Sequence, residues 1–111
     1  MRDGKQAEDA YQLFKRGESL LKSRNPAQAA VVLARARRLE PEKTSIREAL
    51  GRAYFDSGDF RRAAGEFSFV LERYPTNDYA HYCLGRCAEK LGDAMLSRRH
   101  LRLASVLGFR E

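Results

Sequence analysis

The chain has 111 residues, enough for one domain, and 43% are hydrophobic, with six Phe and five Tyr to fill a core; this is not the composition of a disordered segment. Its formal charge of +6 favours acidic partners, nucleic acid included, and says nothing of fold. No apolar run approaches the roughly 20 residues of a membrane span, and Met1-Arg2-Asp3-Gly4-Lys5 lacks an apolar signal region, so a soluble, cytoplasmic protein is expected.

Residues 1–9 are polar and are expected to fray. From Ala10 the pattern is helical up to Arg24-Asn25-Pro26, an Asn cap followed by Pro at the first helical position. The second helix is stopped by Pro41. Thr44 is placed to cap the third helix, in which Ile46, Ala49, Leu50, Ala53 and Tyr54 recur at three and four. Gly58 ends that helix, because glycine adopts the left-handed conformation at little cost, and Asp59 caps the fourth. Ala63, Phe67, Val70 and Leu71 form its apolar stripe, and Pro75 closes it. A last pair of helices begins near Asp78, turns at Gly92-Asp93 and ends at Gly108. No stretch alternates with the period of a strand, so the chain reads as all-α.

The helices repeat in pairs. Gly17, Gly51 and Gly85 stand 34 residues apart, and Ala29, Ala63 and Ser97, then Leu33, Phe67 and Leu101, keep the same step. A fixed period of this length marks one supersecondary unit that buries its apolar face against its neighbours. The units run over 10–43, 44–77 and 78–111. Gly51 and Ala63 are placed where the two antiparallel helices of a unit cross closely, with Phe67 filling the space one turn on.

These residues resemble the tetratricopeptide repeat: an apolar-Gly pair, an aromatic three residues on, then Ala, Phe and Pro. The second unit matches best, through Leu50-Gly51, Tyr54, Ala63, Phe67 and Pro75. The first has Arg16 before its Gly, and the third has Ala88 for the aromatic, Ser97 for Ala and Phe109 for Pro. The resemblance implies an α-α superhelix, a solenoid of three helix-turn-helix units, and a protein-interaction function.

It also implies that the first helix of each unit lines a concave, partner-binding groove. The groove residues would be Tyr11, Phe14 and Glu18 in the first unit, Arg52 and Phe55 in the second, and Tyr79, Tyr82 and Arg86 in the third. Arg52 and Arg86 occupy equivalent places and together suit a carboxylate. The alternative is that all are solvated groove-edge residues. Some family members clamp the carboxylate tail of heat-shock chaperones with Lys and Asn. Here Phe14, Glu18, Arg52 and Tyr82 depart from that set and only Arg86 fits, which argues against such a clamp.

The final helix carries a second stripe, Leu96, His100, Leu103 and Leu107, on one face and apart from the core positions. It is expected to serve self-association, as a homodimer, or a partner helix. The arginines of the second helices, among them Arg35, Arg61, Arg98 and Arg102, read as a solvated convex face, with contact to nucleic acid or an acidic protein as the other reading. Cys83 and Cys87, with His81 and His100 nearby, match no zinc signature and read as structural thiols; no metal and no cofactor are expected. No catalytic constellation is present, so a non-enzymatic adaptor or co-chaperone-like module is expected. The alternatives are a small chaperone for a secretion substrate and a basic nucleic-acid or ribosome-associated factor.

Overall fold

The computed structural model describes residues 8–111. Six helices follow in order: α1 (Ala10–Lys22), α2 (Pro26–Leu39), α3 (Thr44–Asp56), α4 (Phe60–Arg73), α5 (Asp78–Lys90) and α6 (Ala94–Val106). No strand occurs among the described residues, and the fold is the all-α superhelix of helix pairs. None of the described helices is long and apolar enough to cross a membrane. Each helix packs on the next, and the molecule is elongated, 55 × 25 × 21 Å. α1 also touches α3, which sets the first helices on the inner side of the curve.

The ends of the helices follow from local chemistry. The expected frayed start lies largely outside the described residues; within them, Asp9 caps α1. Its carboxylate accepts the Gln12 backbone N–H at 2.8 Å, and the Gln12 amide oxygen accepts the Asp9 N–H at 3.0 Å. Asp59, Asn77 and Asp93 cap α4, α5 and α6 in the same sense, each accepting an N–H three residues on. Two expected caps differ. Lys43 sits at the start of α3 and Thr44 is already helical, because the turn after Pro41, closed by Lys43 N–H on the Glu40 carbonyl, brings the chain into register one residue early. Asn25 precedes α2, but its amide turns back to donate to the Ser23 carbonyl at 3.1 Å.

The turn within each unit needs a left-handed residue. Gly58 and Gly92 supply it, with φ of +83° and +84°. The equivalent place in the first unit is Arg24, with φ of +62°. A side chain there crowds its own carbonyl, at a cost of roughly 1–2 kcal/mol.

The core is set by close crossings. A methyl group at Gly51 would lie 2.7 Å from the Phe67 ring, at Gly17 2.4 Å from Leu33, and at Gly85 2.8 Å from Leu101. Phe67 therefore fills the crossing itself, directly opposite Gly51, where the sequence pattern placed it one turn away. It is fully buried with Ala63, Val70, Ala80 and Cys87. Ala29, Leu33, Ala49, Leu50 and Ala53 form the matching cluster one unit earlier.

Two changes test this account in urea denaturation. Gly51→Ala is expected to cost roughly 1–3 kcal/mol, since the added methyl would lie 2.7 Å from the Phe67 ring and the ring would have to shift out of its packing with Ala63, Val70 and Ala80. Arg24→Gly is expected to stabilise by about 0.5–1 kcal/mol, the relief of strain less the added backbone entropy of glycine.

Candidate functional site

Burial of Ile46, Ala49, Leu50 and Ala53 turns the opposite side of α3 inward to the curve, and burial of Ala80, Leu84 and Cys87 does the same for α5. Between these two helices lies a cavity of about 170 Å³. Phe55, Phe67, Tyr79, Tyr82 and Cys83 supply its apolar lining; Arg52, Asp56 and Arg86 supply its charge. A shallower continuation runs past Arg52 and Tyr79 to Phe14, Glu18 and Glu48, and a third hollow is lined by Tyr11, Phe14 and Lys43. All eight groove residues expected from the sequence thus line this connected set of hollows.

The cavity is built stiffly. Tyr79 meets Phe67 edge-on at 6.1 Å, and Tyr82 stacks on Phe109 at 4.3 Å. Arg86 donates to the Tyr82 hydroxyl at 2.9 Å and to Glu89 at 3.1 Å. Its guanidinium lies 5.9 Å from the Phe55 and Tyr82 ring centres, within reach of a cation–π attraction. Arg52 is exposed and has no ion pair among the described residues, so its forked donors face the groove's solvent. Phe109 joins the inner face through its stacking on Tyr82, a role outside the groove positions of the repeat. In the sequence it marks only the place where the closing Pro of the repeat belongs.

Burial, more than any neighbour, raises the Tyr79 hydroxyl well above its ordinary range and pushes the Cys83 thiol up to about 12 and the Cys87 thiol up to about 11. Tyr79 and Cys83 are therefore neutral parts of the cavity wall at neutral pH, and both thiols are poor nucleophiles. Among the described residues no three His, Cys, Asp or Glu side chains converge on a point that would hold a metal ion.

The second stripe of α6 divides. Leu96 and His100 are half-buried, whereas Leu103 and Leu107 are each 37% exposed. His100 is engaged within the unit: its Nδ1 lies 2.9 Å from Nδ1 of the buried His81, and the rings stack at 5.2 Å. His81 Nε2 is 2.8 Å from the Pro75 carbonyl. A carbonyl only accepts, so in the neutral pair that nitrogen carries the proton and His100 donates to His81. The same two places hold Arg47 and Glu66 one unit earlier. There Arg47 donates to Glu66 at 3.0 Å and to the Pro41 carbonyl at 2.9 Å, while Arg37 also pairs with Glu66. In the first unit the places hold Leu13 and Val32, both buried.

A family model described as tetratricopeptide repeat matches residues 14–56 and 48–104. No curated protein sequence matches the chain significantly. Among solved structures, YrrB, described as a TPR protein with an unusual peptide-binding site, superposes with a TM-score of 0.88 at 24% identity, over 92% of this chain and 53% of its own. The second TPR of Spaghetti (RPAP3), solved bound to the HSP90 peptide SRMEEVD, gives 0.83 at 14% identity, over 90% of this chain and 93% of its own. A chain of the CopN–Scc3 complex gives 0.83 at 15% identity, over 100% of this chain and 72% of its own. The chain thus spans about half the length of YrrB.

Burial, then the nearby His81 and Arg99, lowers the His100 pKa below its ordinary 6.5. The neutral ring is favoured in the fold, so the unfolded chain takes up this proton first as the pH falls. The contribution of His100 is complete above pH 6.5 and is lost as the pH drops through its lowered value. The melting temperature is expected to fall as the pH drops below about 6.5, before the carboxylates titrate, and His100→Gln is expected to flatten that slope.

Proposed function

The chain belongs to the tetratricopeptide-repeat family, and we propose that its concave face binds a peptide segment of a partner protein, making it a non-enzymatic adaptor or co-chaperone-like module. One observation carries the reading: the cavity between α3 and α5 combines aromatic walls with the guanidiniums of Arg52 and Arg86. Its volume suits one large apolar side chain. Tyr82 and Phe109 are already stacked, so little side-chain freedom is lost when a ligand settles on them. Arg52, free of an internal ion pair among the described residues, is the group that a ligand carboxylate would meet. The ligand class is therefore a peptide with a bulky apolar residue close to Asp, Glu or a free C-terminus. The chaperone-tail clamp of some relatives is not part of this reading, because Phe14, Glu18 and Tyr82 stand where it needs other groups.

Selection from a displayed peptide library tests the reading. Selected peptides are expected to share an apolar residue near an acid, and Arg52→Ala and Tyr82→Ala are each expected to weaken them on the order of tenfold, the scale of one lost anchor at about 1.4 kcal/mol. Undiminished binding by both variants would place the ligand elsewhere.

A further inference from the structure

The repeat register isolates a second surface. On α2, Ala27, Ala30, Val31 and Ala34 line one side of a hollow whose other side the following unit supplies with Tyr54, Ser57, Asp59 and Arg62. One step of 34 residues on, α4 holds Arg61, Ala64, Gly65 and Ser68 in those places. Both sets are mostly small, and that lets the next helix pair come close. A second step leads to Met95, Arg98, Arg99 and Arg102 on α6. Three arginines thus stand where small residues admit the next unit, and with Leu103 they line a shallow hollow of their own. α6 contains no acidic residue, and none of the three arginines has an ion pair among the described residues. Met95 and Val106, 77% exposed each, lie on one helical line with Arg99 and Arg102 between them.

We propose that this outer face of α6 docks an acidic amphipathic helix of a partner protein, its apolar side chains on Met95, Leu103 and Val106 and its carboxylates on Arg98, Arg99 and Arg102. Charge selects this occupant. A second copy set head to tail would offer Gln12, Lys15, Arg16 and Ser19, the places on α1 that match the apolar Ile46, Ala49, Leu50 and Ala53 of α3. That face is polar, and the acid on it, Glu8, is already held by Arg16. Two α6 helices face to face would oppose two arginine triads. A membrane surface wants apolar and basic residues on separate faces, and here they alternate along one line. Phosphates alone would leave Met95 and Val106 without a role. A helix with Glu on either side of an apolar stripe meets both kinds of group.

The test uses the full chain and a fluorescent synthetic helix with an apolar stripe flanked by Glu, beside the same helix with Lys for Glu. By anisotropy the Glu helix is expected to bind, to weaken with salt and to lose on the order of tenfold or more on Arg98→Glu with Arg102→Glu. Both residues are exposed, so an unchanged melting temperature confirms that the variant is folded, and Met95→Ser supplies a second, uncharged probe. Arg52→Ala, in the concave groove, is expected to leave this binding unchanged, which keeps the two surfaces apart. No binding of the Glu helix, equal binding of the Lys helix, or loss confined to Arg52→Ala overturns the proposal. So does tighter binding of duplex DNA or phosphatidylserine vesicles at the same arginines, or a dimer in light scattering that Arg98→Glu with Arg102→Glu leaves intact.

Discussion

Everything in this molecule hangs on how closely the two helices of a unit cross. At each crossing a glycine on the first helix accepts a side chain from sixteen residues on: Leu33 over Gly17, Phe67 over Gly51, Leu101 over Gly85. The absent Cβ is the space that the large residue occupies. Interior packing leaves no slack to absorb even a methyl group, so this contact sets the separation within the pair. The separation in turn fixes where α3 and α5 stand, and hence whether a cavity opens between them. The contact becomes less enclosed along the chain, since Leu33 and Phe67 are fully buried and Leu101 only partly so. The following helix pair is what closes the first two.

The second shared place shows how much chemistry one backbone geometry admits. Leu13 with Val32, Arg47 with Glu66, and His81 with His100 are the same pair of positions, filled by an apolar contact, an ion pair and two imidazoles. Arg47 and His81 both also donate to the carbonyl of the proline six residues earlier. The repeat therefore imposes a requirement for two groups that satisfy each other and, where the first is a donor, the loop carbonyl. It does not impose their type. The nearly buried Glu66 persists because two guanidiniums hold it; with either one removed, a buried carboxylate would be left short of partners.

The fold was legible because the determinants of a helical repeat are local and periodic. Glycine, proline and aspartate mark the turns, and the 34-residue step fixes the phase; both are properties of the string itself. The inner-face residues followed from that phase. What did not follow were features settled by the choice among neighbours. Thr44 and Asn25 are good caps by residue type, but one entered the helix early and the other found Ser23. His100 looked surplus because its partner His81 is nineteen residues away on another helix, and the equivalent pair, an arginine and a glutamate, shares no residue type with it. The part played by Phe109 needs three dimensions, since only the fold brings it onto Tyr82.

The register also gives the groove a direction. The gap between α3 and α5 has its counterpart between α1 and α3, one step of 34 earlier. Tyr79, Tyr82 and Arg86 on one side correspond to Ser45, Glu48 and Arg52; Arg52 and Phe55 on the other correspond to Glu18 and Leu21. One backbone gap is thus lined in opposite ways. The later one is aromatic and carries Arg52 and Arg86 against Asp56, and the earlier one sets Glu18 and Glu48 against the same Arg52, beside a serine. Glu48 is partly committed to Asn77 at 2.9 Å, Glu18 to Lys15 at 3.4 Å and Arg86 to Glu89 at 3.1 Å, so both ends are tempered and Arg52 between them is not, among the described residues. A peptide lying along this face would meet Glu18 and Glu48 at one end and Arg86 with the aromatic cavity at the other, with Arg52 between, so reversing it would bring its end charges towards like charges. In the proposed complex, electrostatics would favour one orientation of the segment, with the aromatic cavity as its anchor.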